Sequence, residues 1–64
     1  MTRPLTQREL EVLCAVVRLR SRKEAAAALG ISVNTVKRHL ADAYAAIGAD
    51  CLLDAAEWLR RNAA

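Results

Sequence analysis

The sequence predicts an all-α fold: helix-start signals recur along the chain, glycines stand where helices have to stop, and nothing in it reads as a strand, repeat or linker. Four helices follow from these signals, taken in order. Thr6 with Glu9 three residues later is a capping box, in which the hydroxyl takes an orphan backbone N–H and the carboxylate reaches back. Pro4 sits just before it, and Leu5 is placed to staple against Leu10. Val12, Leu13, Val16 and Val17 then recur at helical spacing, so the helix at about 7–19 has one apolar face and is a packing element.

Ser21 and Glu24 repeat the box. Ala25 to Leu29 are strong helix formers, and Gly30 adopts the left-handed conformation at low steric cost, so the second helix covers 22–29. Ile31-Ser32 gives the start signal a third time, with Ser32 as cap and Ile31 opposite Val36. The third helix, 33–47, places Val36, Leu40, Ala43, Tyr44 and Ile47 on one stripe and Asn34, Lys37, Arg38, Ala41 and Ala45 on the other side. Gly48 ends it. Asp50 or Cys51 then caps a fourth helix at about 51–61, whose stripe is Leu52, Ala55, Ala56 and Leu59. Leu53 and Trp58 lie off the centre of that stripe, which suits either a second contact surface or a lid on the edge of the core.

Between Ser21 and Leu40 two capped helices are joined by a turn with a single glycine, the layout of a helix-turn-helix in which the helices cross. Charge gathers at the same place. Ten Lys and Arg against seven Asp and Glu give a formal charge of +3, and Arg18, Arg20, Arg22, Lys23, Lys37 and Arg38 fall in one region opposed only by Glu24. Asp42, Asp50, Asp54 and Glu57 all come later. The basic footprint of a polyanion-binding protein therefore coincides with the helix-turn-helix. For Arg18, Arg20 and Arg22 a solvated face and a phosphate contact remain equal readings, and Arg60 and Arg61 suit the C-terminal dipole of the last helix.

Sixty-four residues are read as one domain, 1–64, near the size at which a hydrophobic core alone suffices; much of its apolar content is alanine, which buries little area. No apolar run approaches the ~18 residues that span a bilayer and the N-terminus lacks a signal-peptide core, which points to a soluble cytoplasmic protein. Cys14 and Cys51 are 37 positions apart and match no zinc spacing, so both are read as reduced thiols, an intermolecular disulfide being the lesser alternative. One histidine, two distant thiols and no glycine-rich phosphate loop leave no metal site, no cofactor site and no catalytic constellation, so the chain is not read as an enzyme. His39 lies between the apolar and exposed sides of its helix and suits a structural hydrogen bond.

From Leu5 to Leu59 the sequence resembles, without a gap, the LuxR-type (GerE-like) helix-turn-helix domain. The matching pieces are LTQRELEVL at Leu5 to Leu13, SRKEAA at Ser21 to Ala26, LGIS at Leu29 to Ser32, TVKRHL at Thr35 to Leu40 and IGA at Ile47 to Ala49. The resemblance implies a four-helix domain whose third helix enters the DNA major groove and whose fourth is often used for dimerisation. It implies base reading by Lys37 and Arg38, with Ala41 at the next base-facing position, and phosphate contact by Lys23, Ser32, Asn34 and Thr35. Arg22, in the same basic region, is grouped with the phosphate contacts. Glu9 and Glu24 match acidic positions of structural role, and Leu53 and Trp58, with Leu52, fall on the pairing helix. Chemistry agrees: Arg and Lys donors suit guanine O6 and N7, at ~1–3 kcal/mol of discrimination per good bidentate contact, and hydroxyls at a helix N-terminus suit phosphate.

The chain also departs from the family pattern. Leu19 replaces the glycine that usually ends the first helix and Arg20 follows it, so the turn is rearranged or the helix runs on by a residue. Ala25 replaces an isoleucine and shrinks the core. Ala41, Ala45 and Ala46 stand where contact residues are common, and Asp42 adds a negative charge, which weakens binding and flattens its salt dependence. The expected function is a sequence-specific double-stranded DNA-binding transcriptional regulator acting as a homodimer. The alternative is a small protein-interaction module that pairs with a LuxR-type regulator or RNA polymerase without reading DNA.

Overall fold

Hydroxyl side chains set where the first three helices begin. In the computed structural model, which describes residues 3–62, these are α1 (Gln7–Leu19), α2 (Arg22–Leu29) and α3 (Val33–Ile47), followed by α4 (Leu52–Asn62). The hydroxyls of Thr6, Ser21 and Ser32 each accept a hydrogen bond from the backbone N–H three residues on. The reciprocal half of the capping box forms only at α1, where the Glu9 carboxylate accepts from the Thr6 N–H at 3.0 Å. At α2 the Glu24 side chain is exposed and does not return, so its expected box is a single cap. Gly30 and Gly48 close α2 and α3 in the left-handed conformation, at φ 69° and 74°.

The fourth helix begins and ends one residue later than the expected 51–61. Cys51 occupies the cap position, its carbonyl accepting from the Ala55 N–H, while the Asp54 carboxylate accepts from the Asp50 N–H. At the other end the Asn62 side-chain amide donates to the Trp58 carbonyl at 2.8 Å, satisfying a group the helix leaves open.

Arg20, not Leu19, takes the strained position after α1: φ is 54° and ψ 35°, and its N–H bonds the Val16 carbonyl. The helix thus runs on by one residue relative to the family's usual stop. A side chain in this conformation costs ~1 kcal/mol or more that glycine avoids. Arg20→Gly is therefore expected to raise the thermal midpoint by a few degrees, about 4–8 °C per kcal/mol gained in a domain of this size. A midpoint that falls in a melting experiment would show that the Arg20 side chain makes contacts worth more than the strain.

One cluster forms the centre of the core: Val12, Leu13 and Val16 of α1, Ala25 and Ala26 of α2, Val36 and Leu40 of α3, Ala55 and Leu59 of α4. Leu5, Leu10, Ile31 and Trp58 pack half-buried around it. Ala25 is wholly buried, so the loss of a larger side chain there is a real loss of core volume. Cys14 is half-buried and Cys51 exposed, both as free thiols.

A feature the sequence did not announce sits at the start of α1. The Arg3 guanidinium forms a two-pronged ion pair with Glu9, at 2.8 and 2.7 Å, and Glu9 is 6% exposed. Arg3 first, then the Thr6 backbone N–H, hold the Glu9 carboxyl down at about 2, from an ordinary value of 4.5. A depressed carboxylate contributes stability that is fully present above its unfolded pKa and lost as pH falls through the folded one. Stability is accordingly expected to decline between about pH 4.5 and pH 2, and Glu9→Gln to be less stable at neutral pH yet flatter across that window. Denaturant titrations at pH 3 and pH 7 check it; equal losses in both proteins would remove Glu9 as the titrating group.

Candidate nucleic-acid interface

The helix-turn-helix places α2 and α3 side by side against α1, with the apolar stripe of α3 turned inward: Val36, Leu40, Ala43 and Ala46 are buried. Helical spacing then dictates that Asn34, Lys37, Arg38, Ala41 and Ala45 face out, and all five are exposed. Lys37 and Arg38 stand free on this surface. Among the described residues the ion pairs are Arg3 with Glu9, Arg8 with Glu11 and Arg60 with Glu57. Arg18, Arg20, Arg22, Lys23, Lys37 and Arg38 take part in none of them, nor does Arg61. Unpaired cations therefore gather at the end of α1, the start of α2 and the outer side of α3.

The structure brings several of the expected residues together. Arg22, Lys37 and Ala41 line one shallow depression between α2 and α3, with Leu40 and Tyr44 as its other walls. Tyr44 was expected only as a core residue, yet it is half-buried and borders this depression and a neighbouring one lined by Arg20, Ser21 and Arg22. Its phenol is pushed above the ordinary pKa by burial, partly offset by Arg22, so the hydroxyl stays neutral and able to donate. The spacing 37, 41, 44 along one helix was the signal that could have found it.

At the start of α3, Ser32 and Thr35 are partly committed to one another. Their hydroxyl oxygens lie 2.8 Å apart, and Ser32 also accepts from the Thr35 N–H at 3.1 Å. One O–H of the pair donates to the other oxygen, which leaves the second O–H without a partner among the described residues. Asn34 and Lys23 are exposed and make no hydrogen bond with the described residues. Arg38 lies one turn from Asp42, also exposed, without forming an ion pair with it.

Two expectations are corrected. Ala46 is 2% exposed and belongs to the packed side of α3, so a contact position there is excluded by burial. His39 is half-buried, but its side chain makes no hydrogen bond with the described residues, which removes the structural bond expected of it.

On α4 the apolar residues separate. Leu52 and Leu53 share a depression with Val17, Arg20 and Ala56, and Leu53 is 73% exposed. Trp58 lies elsewhere, half-buried against the core beside Ile47, Gly48 and Ala49. The described residues include no cluster of His, Cys, Asp and Glu placed to hold a metal, and no described helix is long and apolar enough to cross a membrane.

The protein-family model described as GerE, bacterial regulatory proteins, luxR family, matches residues 3–59. No curated protein and no solved structure matches the chain.

Proposed function

The chain belongs to the luxR family of bacterial regulatory proteins, a family of DNA-binding helix-turn-helix domains, and from that premise we propose that it is a sequence-specific regulator of transcription. In this reading α3 enters the major groove, Lys37 and Arg38 read base edges, and Ala41 offers a methyl to thymine. Lys23, Asn34, Arg22 and the Ser32–Thr35 hydroxyl pair grip the flanking phosphates, which set register without reading sequence. The supporting observation is the pair of exposed, unpaired cations on the outer side of α3 with Arg22 beside Lys37.

One copy of this domain, with its alanine-rich reading helix, gains the free energy it needs from a second half-site. Homodimerisation through α4 supplies it, with Leu52 and Leu53 as the contact and Trp58 stiffening the helix from the core side. Selection of bound duplexes from a random pool tests both points. The expected result is a symmetric site whose half-sites are about one helical turn apart. Failure to enrich any sequence at low salt would overturn the DNA-reading role.

The 73% exposure of Leu53 also favours a second reading. The same apolar depression fits the fourth helix of a different luxR-type regulator or a surface of RNA polymerase, making the chain a modulator that pairs without reading DNA. Co-purification with such a partner, together with no duplex affinity at low salt, would favour this reading over the first. Either role places the protein in the cytoplasm, on the nucleoid when DNA is bound.

A further inference from the structure

Beyond Leu40, the second half of α3 is seated on the core by the half-buried Tyr44 and Ile47 and by the buried methyls of Ala43 and Ala46, which lie outside the central cluster. A methyl buries little area. A polar clasp adds to this seat at the end of the helix. The Arg3 N–H donates to the Ala46 carbonyl at 2.9 Å, and its guanidinium reaches the Asp42 carbonyl at 3.5 Å while forking onto Glu9. Glu9 in turn accepts from the Thr6 N–H, which anchors the clasp to the first turn of α1. Ala46 lies in the last turn of α3, where carbonyls lack intrahelical partners and the dipole favours a cation.

We propose that Arg3 is a positioning residue for base reading: it pins the far end of α3 to α1 and so fixes the angle at which Lys37 and Arg38 are presented. The inference rests on the DNA-reading role proposed above. Arg38, Asp42 and Ala46 follow one another at four-residue spacing, a row that winds from the outer side of α3 at Arg38 to its packed side at Ala46, two turns away. Without the clasp, α3 tilts about its capped start, and Arg38 lies six residues, ~9 Å of helix, beyond Ser32. A tilt of ~10° moves Arg38 by ~1.5 Å, about three times the ~0.5 Å tolerance of a preorganised binding site. Arg3 acts at a distance, through the backbone of α3.

The test compares the unchanged chain with Arg3→Ala and Arg3→Lys, by fluorescence anisotropy on the duplex recovered by selection and on a scrambled duplex of equal length, with circular dichroism on each protein. Arg3→Ala keeps the backbone N–H bond to Ala46 but removes the fork onto Glu9 and the Asp42 contact, and is expected to lose about tenfold in affinity for the selected duplex, the order of one spoiled base contact. Binding to the scrambled duplex and its salt slope stay unchanged. Arg3→Lys keeps the charge but loses the fork, recovers only part of the selectivity, and serves alone should Arg3→Ala not fold. Equal weakening on both duplexes with a salt slope lower by about one would make Arg3 a phosphate contact and overturn the proposal. Unchanged selectivity in a folded variant, or full recovery by lysine, would overturn it too. Absence of selectivity in the unchanged chain overturns the DNA-reading role itself and this role of Arg3 with it.

Discussion

Lys37→Ala combined with Arg38→Ala is expected to abolish selective duplex binding while leaving the helices in place. Both side chains are exposed and neither joins an ion pair, so their removal strips no buried contact and changes stability by about 0.5 kcal/mol or less. Two good base contacts at ~1–3 kcal/mol each account for a loss of ~2–6 kcal/mol, enough to bring the selected sequence down to nonspecific affinity. Ala41 and Ala45 supply no donor that compensates. Anisotropy titrations on selected and scrambled duplexes read the result. A uniform drop on both, with a salt slope shallower by about two, would assign both residues to phosphates. Unchanged binding would end their role in recognition altogether.

Leu13→Ala is expected to take most of the domain's stability. Leu13 is wholly unexposed at the centre of the core, and truncating such a leucine costs ~2–5 kcal/mol, the more where neighbours cannot close the cavity. Three of its eight companions in the cluster, Ala25, Ala26 and Ala55, have only methyls to move. A chain of this length has ~3–10 kcal/mol in total. The thermal midpoint falls by at least ~10 °C, and circular dichroism shows a substantial unfolded fraction near 37 °C. A midpoint within a few degrees of the unchanged chain would contradict a core centred on Leu13.

Helix boundaries were legible wherever a local signal set them. Thr6, Ser21 and Ser32 cap because each hydroxyl needs only the N–H three residues ahead, and Gly30 and Gly48 stop helices through their own backbone freedom. The same locality made Lys37 and Arg38 legible as outward cations, since the apolar stripe of one helix fixes its opposite side. Signals that rely on a distant partner were harder to read. Arg3 carries no local signal, because its bond to Ala46 joins residues 43 positions apart in sequence. Tyr44 was assigned to the core by its stripe, and only the packing of α2 showed it beside Arg22 and Lys37. Ala46 read as an eroded contact position because alanine suits either side of a helix; burial alone distinguishes the two.

By itself the sequence determined four helices, the glycine stops of α2 and α3, the helix-turn-helix and the side of α3 that faces away from the core, because each depends on residues within a turn or two. Tertiary structure decided the rest: which of two residues takes the left-handed turn after α1, that Glu9 is held ionised by Arg3, that Tyr44 borders the basic depression, and that Leu53 and Trp58 lie in separate surroundings. These are matters of which side chains meet across helices. No local propensity encodes them, since such a meeting is fixed only when apolar burial has packed the helices against one another.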